Sequence, residues 1–159
     1  ISRGLVGSEM CIRDRFSSDQ QGVLYTAQDL HCCIEETSIH LSQFLAATQE
    51  GAIEVDFCAY RLGLDAEFYD FRGVRKQHPD LFKQNDYGGT QLLARQLREQ
   101  GAYGLLFESN HREDCECAAV FRPQAFTQCI EQQYLCFVWD GKNVQDIYEK
   151  RSLGLPETH

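Results

Sequence analysis

A change of apolar period within a few residues constrains this chain most. Val23-Leu24-Tyr25-Thr26 is β-branched and aromatic, as in a strand. From Asp29 onward Leu30, Cys33, Ile34, Thr37, Leu41, Phe44 and Leu45 recur at three- and four-residue steps, which predicts one face of a helix. Asp29 is suited to cap that helix, because its carboxylate can accept from the unpaired amides of the first turn. The unit running from Arg15 to His40 thus carries a cation (Arg15), a phenol (Tyr25) and two adjacent carboxylates (Glu35 and Glu36). Such a set suits the holding and breaking of an anionic nucleotide, and equally an ordinary strand–helix pair with a charged surface. Helical spacing does not choose between Glu35 and Glu36, since both flank the apolar stripe.

Further along, Ile53, Val55, Phe57 and Ala59 alternate with Glu54, Asp56, Cys58 and Tyr60, predicting a half-buried strand to about Leu62. Residues 63–89 read as irregular, with one helical turn at Pro79-Asp80-Leu81-Phe82. Thr90 to Gln100 reads as a second helix with Gly101 just past its end, where a left-handed residue closes a helix. Tyr103 to Phe107 reads as a buried strand, Glu108 to Asp114 as a polar loop, and Cys115 to Phe121 and Tyr134 to Trp139 as strands. Asp140-Gly141 is a turn signal, and the chain from Gln145 reads as a frayed polar tail. The pattern predicts one α+β domain with helices set apart from a mainly antiparallel sheet.

A formal net charge of −9 argues against nucleic-acid binding, which needs clustered Lys and Arg. A single arginine can still hold a small phosphate ligand. No apolar run approaches the roughly 20 residues of a membrane span. The opening residues 1–14 show neither a strand nor a helical period and resemble the conceptual translation of a sequencing-library adapter. They are set aside as a foreign scar, which leaves 15–145 as the domain, truncated at its start, and 146–159 as the tail. On that reading the Arg15 codon is itself mostly adapter. Of the eight cysteines Cys11 falls in that stretch. Seven remain, an odd number without a secretion signal, so reduced cytosolic thiols are expected. Neither Cys32-Cys33 nor Cys115-Glu116-Cys117 has zinc-knuckle spacing, so no metal is expected.

The sequence contains no Gly-rich phosphate loop, GxSxG elbow or HExxH helix. His40 stands one helical turn after Glu36, where a structural hydrogen bond is the ordinary role. Ser109 follows a buried strand directly, a position that often presents functional side chains, although no base is visibly paired with it.

In order, Arg15-Phe16, Gly22 to Ala27, Glu36-Thr37 with His40, Asp86-Tyr87, Thr90 to Arg95, Gly104 to Phe107 with Ser109, Ala118 to Pro123 and Trp139-Asp140-Gly141 resemble the RES-domain family. The family is named for an arginine, a glutamate and a serine and forms the toxin half of bacterial RES–Xre toxin–antitoxin pairs. Its register, with the acid just before threonine and four residues ahead of histidine, selects Glu36. Tyr25, Ser109 and Arg15 match its tyrosine, serine and arginine. The chain departs from the pattern at Cys32-Cys33, where small residues are common, and at Asp114-Cys115, where paired glycines are.

The resemblance implies a fold like that of the ADP-ribosyltransferases and a cytoplasmic enzyme that degrades NAD+ at its nicotinamide–ribose bond. Water or inorganic phosphate would be the acceptor, NAD+ a substrate rather than a cofactor, and growth arrest the result. Glu36 would stabilise the cationic ribose, Arg15 bind a phosphate, Tyr25 stack or bond beside the nicotinamide or its ribose, and Ser109 orient a hydroxyl. An Xre-type antitoxin and a toxin homodimer within the complex are the implied partners. ADP-ribosylation of a protein, or an inactive antitoxin-binding module, are the competing readings.

Overall fold

The computed structural model describes residues 2–6, 16, 22–79, 88–109, 111–112 and 114–155. Arg15, Asp80-Leu81-Phe82 and Asp86-Tyr87 lie outside the described residues. The strands are β1 (Ser2–Val6), β2 (Leu24–Ala27), β3 (Ile53–Leu64), β4 (Tyr69–Asp70), β5 (Gly104–Glu108), β6 (Glu116–Val120), β7 (Phe126–Trp139) and β8 (Val144–Lys150). The helices are α1 (Leu30–Ala47), α2 (Val74–Gln77) and α3 (Gly88–Glu99). The strands form one eight-stranded sheet in the order β4-β5-β6-β2-β1-β3-β7-β8. Every pairing is antiparallel except β4 with β5, so the expected α+β class holds.

Helix α1 starts as its sequence requires. Asp29 is extended, and its Oδ1 accepts from the Cys32 amide at 2.8 Å. The helix then serves two apolar clusters on the same side of the sheet. Cys32 and Cys33 in its first turn pack with Phe107, Leu105, Ala119 and the α3 residues Ala94 and Leu97. Leu41 and Leu45 nearer its end pack with Phe137, Trp139, Leu135 and Ala59 of β7 and β3. Phe44, expected on the apolar stripe, is instead 41% exposed. Two residues past the end of helix α3 comes Gly101, whose φ of +84° is the left-handed conformation expected there. The opposite sheet face is covered by Leu64, Ala66, Phe68 and Ala125, packed on Leu24, Leu106, Ala118 and Val120.

Three elements depart from the sequence reading. Residues 2–6, set aside with the adapter-like stretch, form β1 and fill the middle of the sheet between β2 and β3. A ladder is made by backbone groups, so a segment without apolar alternation can occupy it. The chain expected to fray from Gln145 pairs with β7 as far as Lys150. Its apolar residues Val144 and Ile147 are three apart, which hides the strand period. A register shift between Val138 and Trp139 absorbs the extra residue, so that both still pack into the Trp139 cluster. Strand β7 begins eight residues before Tyr134, since residues 127–130 and Gln132 are exposed while the segment pairs with β3.

Gly104 allows the close approach of β5 to β6. A Cβ there would collide with the Ala119 carbonyl oxygen and meet the Phe68 ring at 2.7 Å. Gly104→Ala is therefore expected to destabilise the fold by about 1–3 kcal/mol through overpacking, read as a lower urea midpoint.

Candidate active site

Ser109 continues the buried face of β5, following Leu105 and Phe107 at two-residue steps, and is 1% exposed. Its amide donates to the Cys115 carbonyl at 2.8 Å, closing the excursion between β5 and β6. Its Oγ accepts from the amides of His111 at 3.0 Å and Arg112 at 3.2 Å, and donates to Oε1 of Glu36 in a short hydrogen bond. The hydroxyl's one proton and both acceptor sites are thereby used. Ser109 is accordingly arranged to aim a carboxylate rather than to attack a substrate.

Glu35 and Glu36, which spacing could not separate, have different partners. Glu35 Oε1 accepts from Arg112 Nη1 at 2.8 Å. Glu36 has the Ser109 hydroxyl on one oxygen, and His40 Nε2 lies 3.8 Å from the other, beyond hydrogen-bond reach. The Glu36 side chain is 26% exposed, so it is reachable from solvent.

Tyr25 lies on the same sheet face. Its ring meets Phe107 edge-on, with centroids 6.4 Å apart and planes at 87°. Its hydroxyl accepts from the Phe16 amide at 3.0 Å, and Phe16 itself is buried against Phe107. Tyr25 and Glu36 are thus connected through Phe107 and Ser109, neighbours on one face of β5. The structure brings Tyr25, Glu36 and Ser109 together on one side of the sheet, while Arg15 lies outside the described residues.

Two features were not legible in the sequence. Cys32 and Cys115 form a disulfide with Cα atoms 5.6 Å apart, across 83 residues. The expectation of reduced thiols fails at this pair, because a count of cysteines cannot reveal that the start of α1 meets the end of the Ser109 loop. Cys58 and Cys136 are free thiols. The second feature is Arg112, which bonds Asp114 through Nε at 2.6 Å as well as Glu35. Its guanidinium holds the Asp114 carboxyl down to about 2, and the paired carboxylates raise Arg112 further above its usual value. Among the described residues no cluster of His, Cys, Asp and Glu is placed to hold a metal ion.

The model of the RES domain family matches residues 9–140. The chain belongs to the RES domain family. This RES domain is 24% identical over 136 residues to the uncharacterised protein y4oC of Sinorhizobium fredii (strain NBRC 101917 / NGR234). That match covers 84% of the chain and 55% of y4oC, so the chain spans about half the length of its curated relative. Its fold is similar to one in the crystal structure of the M. tuberculosis MbcT–MbcA toxin–antitoxin complex. The TM-score is 0.56 at 15% identity, covering 82% of this chain and 81% of that one.

The disulfide joins α1, one turn before Glu36, to the loop that Ser109 begins. Cross-linking across so long a stretch is expected to stabilise by about 2–4 kcal/mol. Dithiothreitol should lower the urea midpoint of the wild type and leave that of Cys115→Ser unchanged, and non-reducing peptide mapping should recover the Cys32–Cys115 pair.

Proposed function

We propose that this RES domain is the toxin of a toxin–antitoxin pair and that it degrades NAD+ by breaking the nicotinamide–ribose bond. The observation that carries this reading is the Ser109–Glu36 hydrogen bond. It fixes an accessible carboxylate beside an aromatic-lined face, using residues 73 apart in sequence. The fold shared with a protein of the MbcT–MbcA toxin–antitoxin complex supports the toxin assignment. The acidic balance of the chain favours a small substrate over a nucleic acid.

In the proposed reaction the bond between the ribose anomeric carbon and the nicotinamide ring nitrogen breaks. Its electron pair neutralises the pyridinium, so nicotinamide leaves as a neutral molecule and no strong general acid is needed. The ribose carbon becomes oxocarbenium-like, and Glu36 stabilises that charge more in the transition state than in the ground state. Ser109 keeps the carboxylate aimed, so little reorganisation accompanies the charge as it develops. Water then forms the new C–O bond and loses one proton to solvent, giving ADP-ribose; inorganic phosphate in its place gives the 1-phosphate of ADP-ribose.

Tyr25, its hydroxyl engaged by the Phe16 amide, offers its ring to the nicotinamide or its ribose. Arg15 is assigned to a substrate phosphate, which its planar fork suits. NAD+ is a substrate in this scheme and no cofactor is required. An Xre-type antitoxin, a homodimer within that complex and a cytoplasmic site of action complete the proposal.

Purified protein incubated with NAD+ should release nicotinamide. Glu36→Gln should lower kcat by about 10²–10³-fold with KM within a few-fold, the loss typical of a group that acts on developing charge. Unchanged turnover in Glu36→Gln would remove Glu36 from the chemistry. An ADP-ribosyl adduct on protein, seen by mass spectrometry, would redirect the acceptor from water or phosphate to a side chain.

A further inference from the structure

We infer that Arg112 is a positioning residue for Glu36, its guanidinium tying the Ser109 loop to the helix residue immediately before the carboxylate. The inference rests on the reading above, in which Glu36 acts on NAD+. Arg112 reaches Ser109 through its backbone and α1 beside Glu36 through its side chain. Its amide donates to the Ser109 Oγ at 3.2 Å, which helps fix where that hydroxyl sits. Its side chain reaches α1, with Nη1 at 2.8 Å from Glu35 Oε1 and 3.0 Å from His31 Nε2. Asp114 takes the remaining edge of the guanidinium through Nε and Nη2, at 2.6 and 2.5 Å.

The two-point bond to Asp114 sets the plane of the fork, and that plane aims Nη1 at Glu35. A lysine ammonium could satisfy one carboxylate but could not be oriented in this way. The disulfide limits how far the loop can stand from α1, whereas the guanidinium sets the angle at which it presents Ser109. The same contacts argue against Arg112 as a phosphate ligand. One cation facing the two carboxylates Glu35 and Asp114 leaves a net negative cluster, which does not attract a dinucleotide.

Because these groups are at least one-third exposed, their pairing contributes little to global stability. The effect of removing it should therefore appear in the site and not in the fold. Arg112→Ala is expected to lower kcat for nicotinamide release by about tenfold or more, with KM within about twofold and a thermal midpoint within a few degrees of wild type. Arg112→Lys should recover only part of that loss. In a double-mutant cycle, Glu35→Gln added to Arg112→Ala should cost little further, since both remove one contact.

Amide hydrogen exchange at positions 109, 111 and 112 should be at least several-fold faster in Arg112→Ala than in wild type. This measurement needs no turnover. Unchanged exchange and unchanged kcat would overturn the inference, as would fully multiplicative losses in the cycle. A raised KM with normal kcat would overturn it in favour of a substrate contact. A wild type that releases no nicotinamide would instead sink the reading of the site, with the exchange rates still deciding whether Arg112 holds the loop.

Discussion

Helix α1 has to pack against two separate apolar clusters with one set of turns, and the site depends on that demand. Its first turn is fixed among Phe107, Leu105 and Ala119, and its later turns among Phe137, Leu135 and Trp139. The capping carboxylate of Asp29 sets where the helix begins. Once the start and both contact patches are set, the azimuth of position 36 has no freedom left, and it falls toward the end of β5. A residue too polar for either cluster then finds a hydroxyl in place of apolar side chains. The catalytic geometry proposed for Glu36 is thus a by-product of how a long helix crosses a sheet.

Partner chemistry separates the two adjacent acids more sharply than position does. A carboxylate bound to a guanidinium is electrostatically spent, because the nearby cation offsets the field it could exert on a developing positive charge. Glu35 is in that condition. A carboxylate that accepts from a neutral hydroxyl keeps its full charge while losing rotational freedom, which is what stabilisation of an oxocarbenium-like centre asks for. Ser109 supplies the restraint and is itself restrained by two backbone amides, so the chain of positioning ends in the main chain of the loop.

Local chemistry was readable from the residues and long-range chemistry was not. The Asp29 cap, the left-handed Gly101 and the Asp140-Gly141 turn follow from the preferences of single residues, and all three appear, with Asp140 accepting from the amides of Lys142 and Asn143. The clean alternation of Ile53 to Ala59 likewise marked its strand. Strand β8 escaped because a register irregularity breaks the two-residue period. The first part of β7 escaped because residues 127–130 and Gln132 face water. Spacing left Glu35 and Glu36 equivalent, and only family register and then the partners themselves distinguished them. The disulfide and Arg112 depend on a meeting of α1 with a loop some 80 residues away, for which no local signal exists.

The two outer strands give the sheet a further property. At one end β4 is only two residues long, and the Arg72 beside it is tied to Asp70 and Glu116. At the other end β8 carries Asp146, Glu149 and Lys150, the lysine paired with Asp56 of β3. One rim is too short to template another strand and the other is studded with charge, two devices that discourage edge-to-edge polymerisation. Both devices work against copies of this chain extending one another's ladders at high local concentration. The same devices favour self-association through a face of the molecule over a rim.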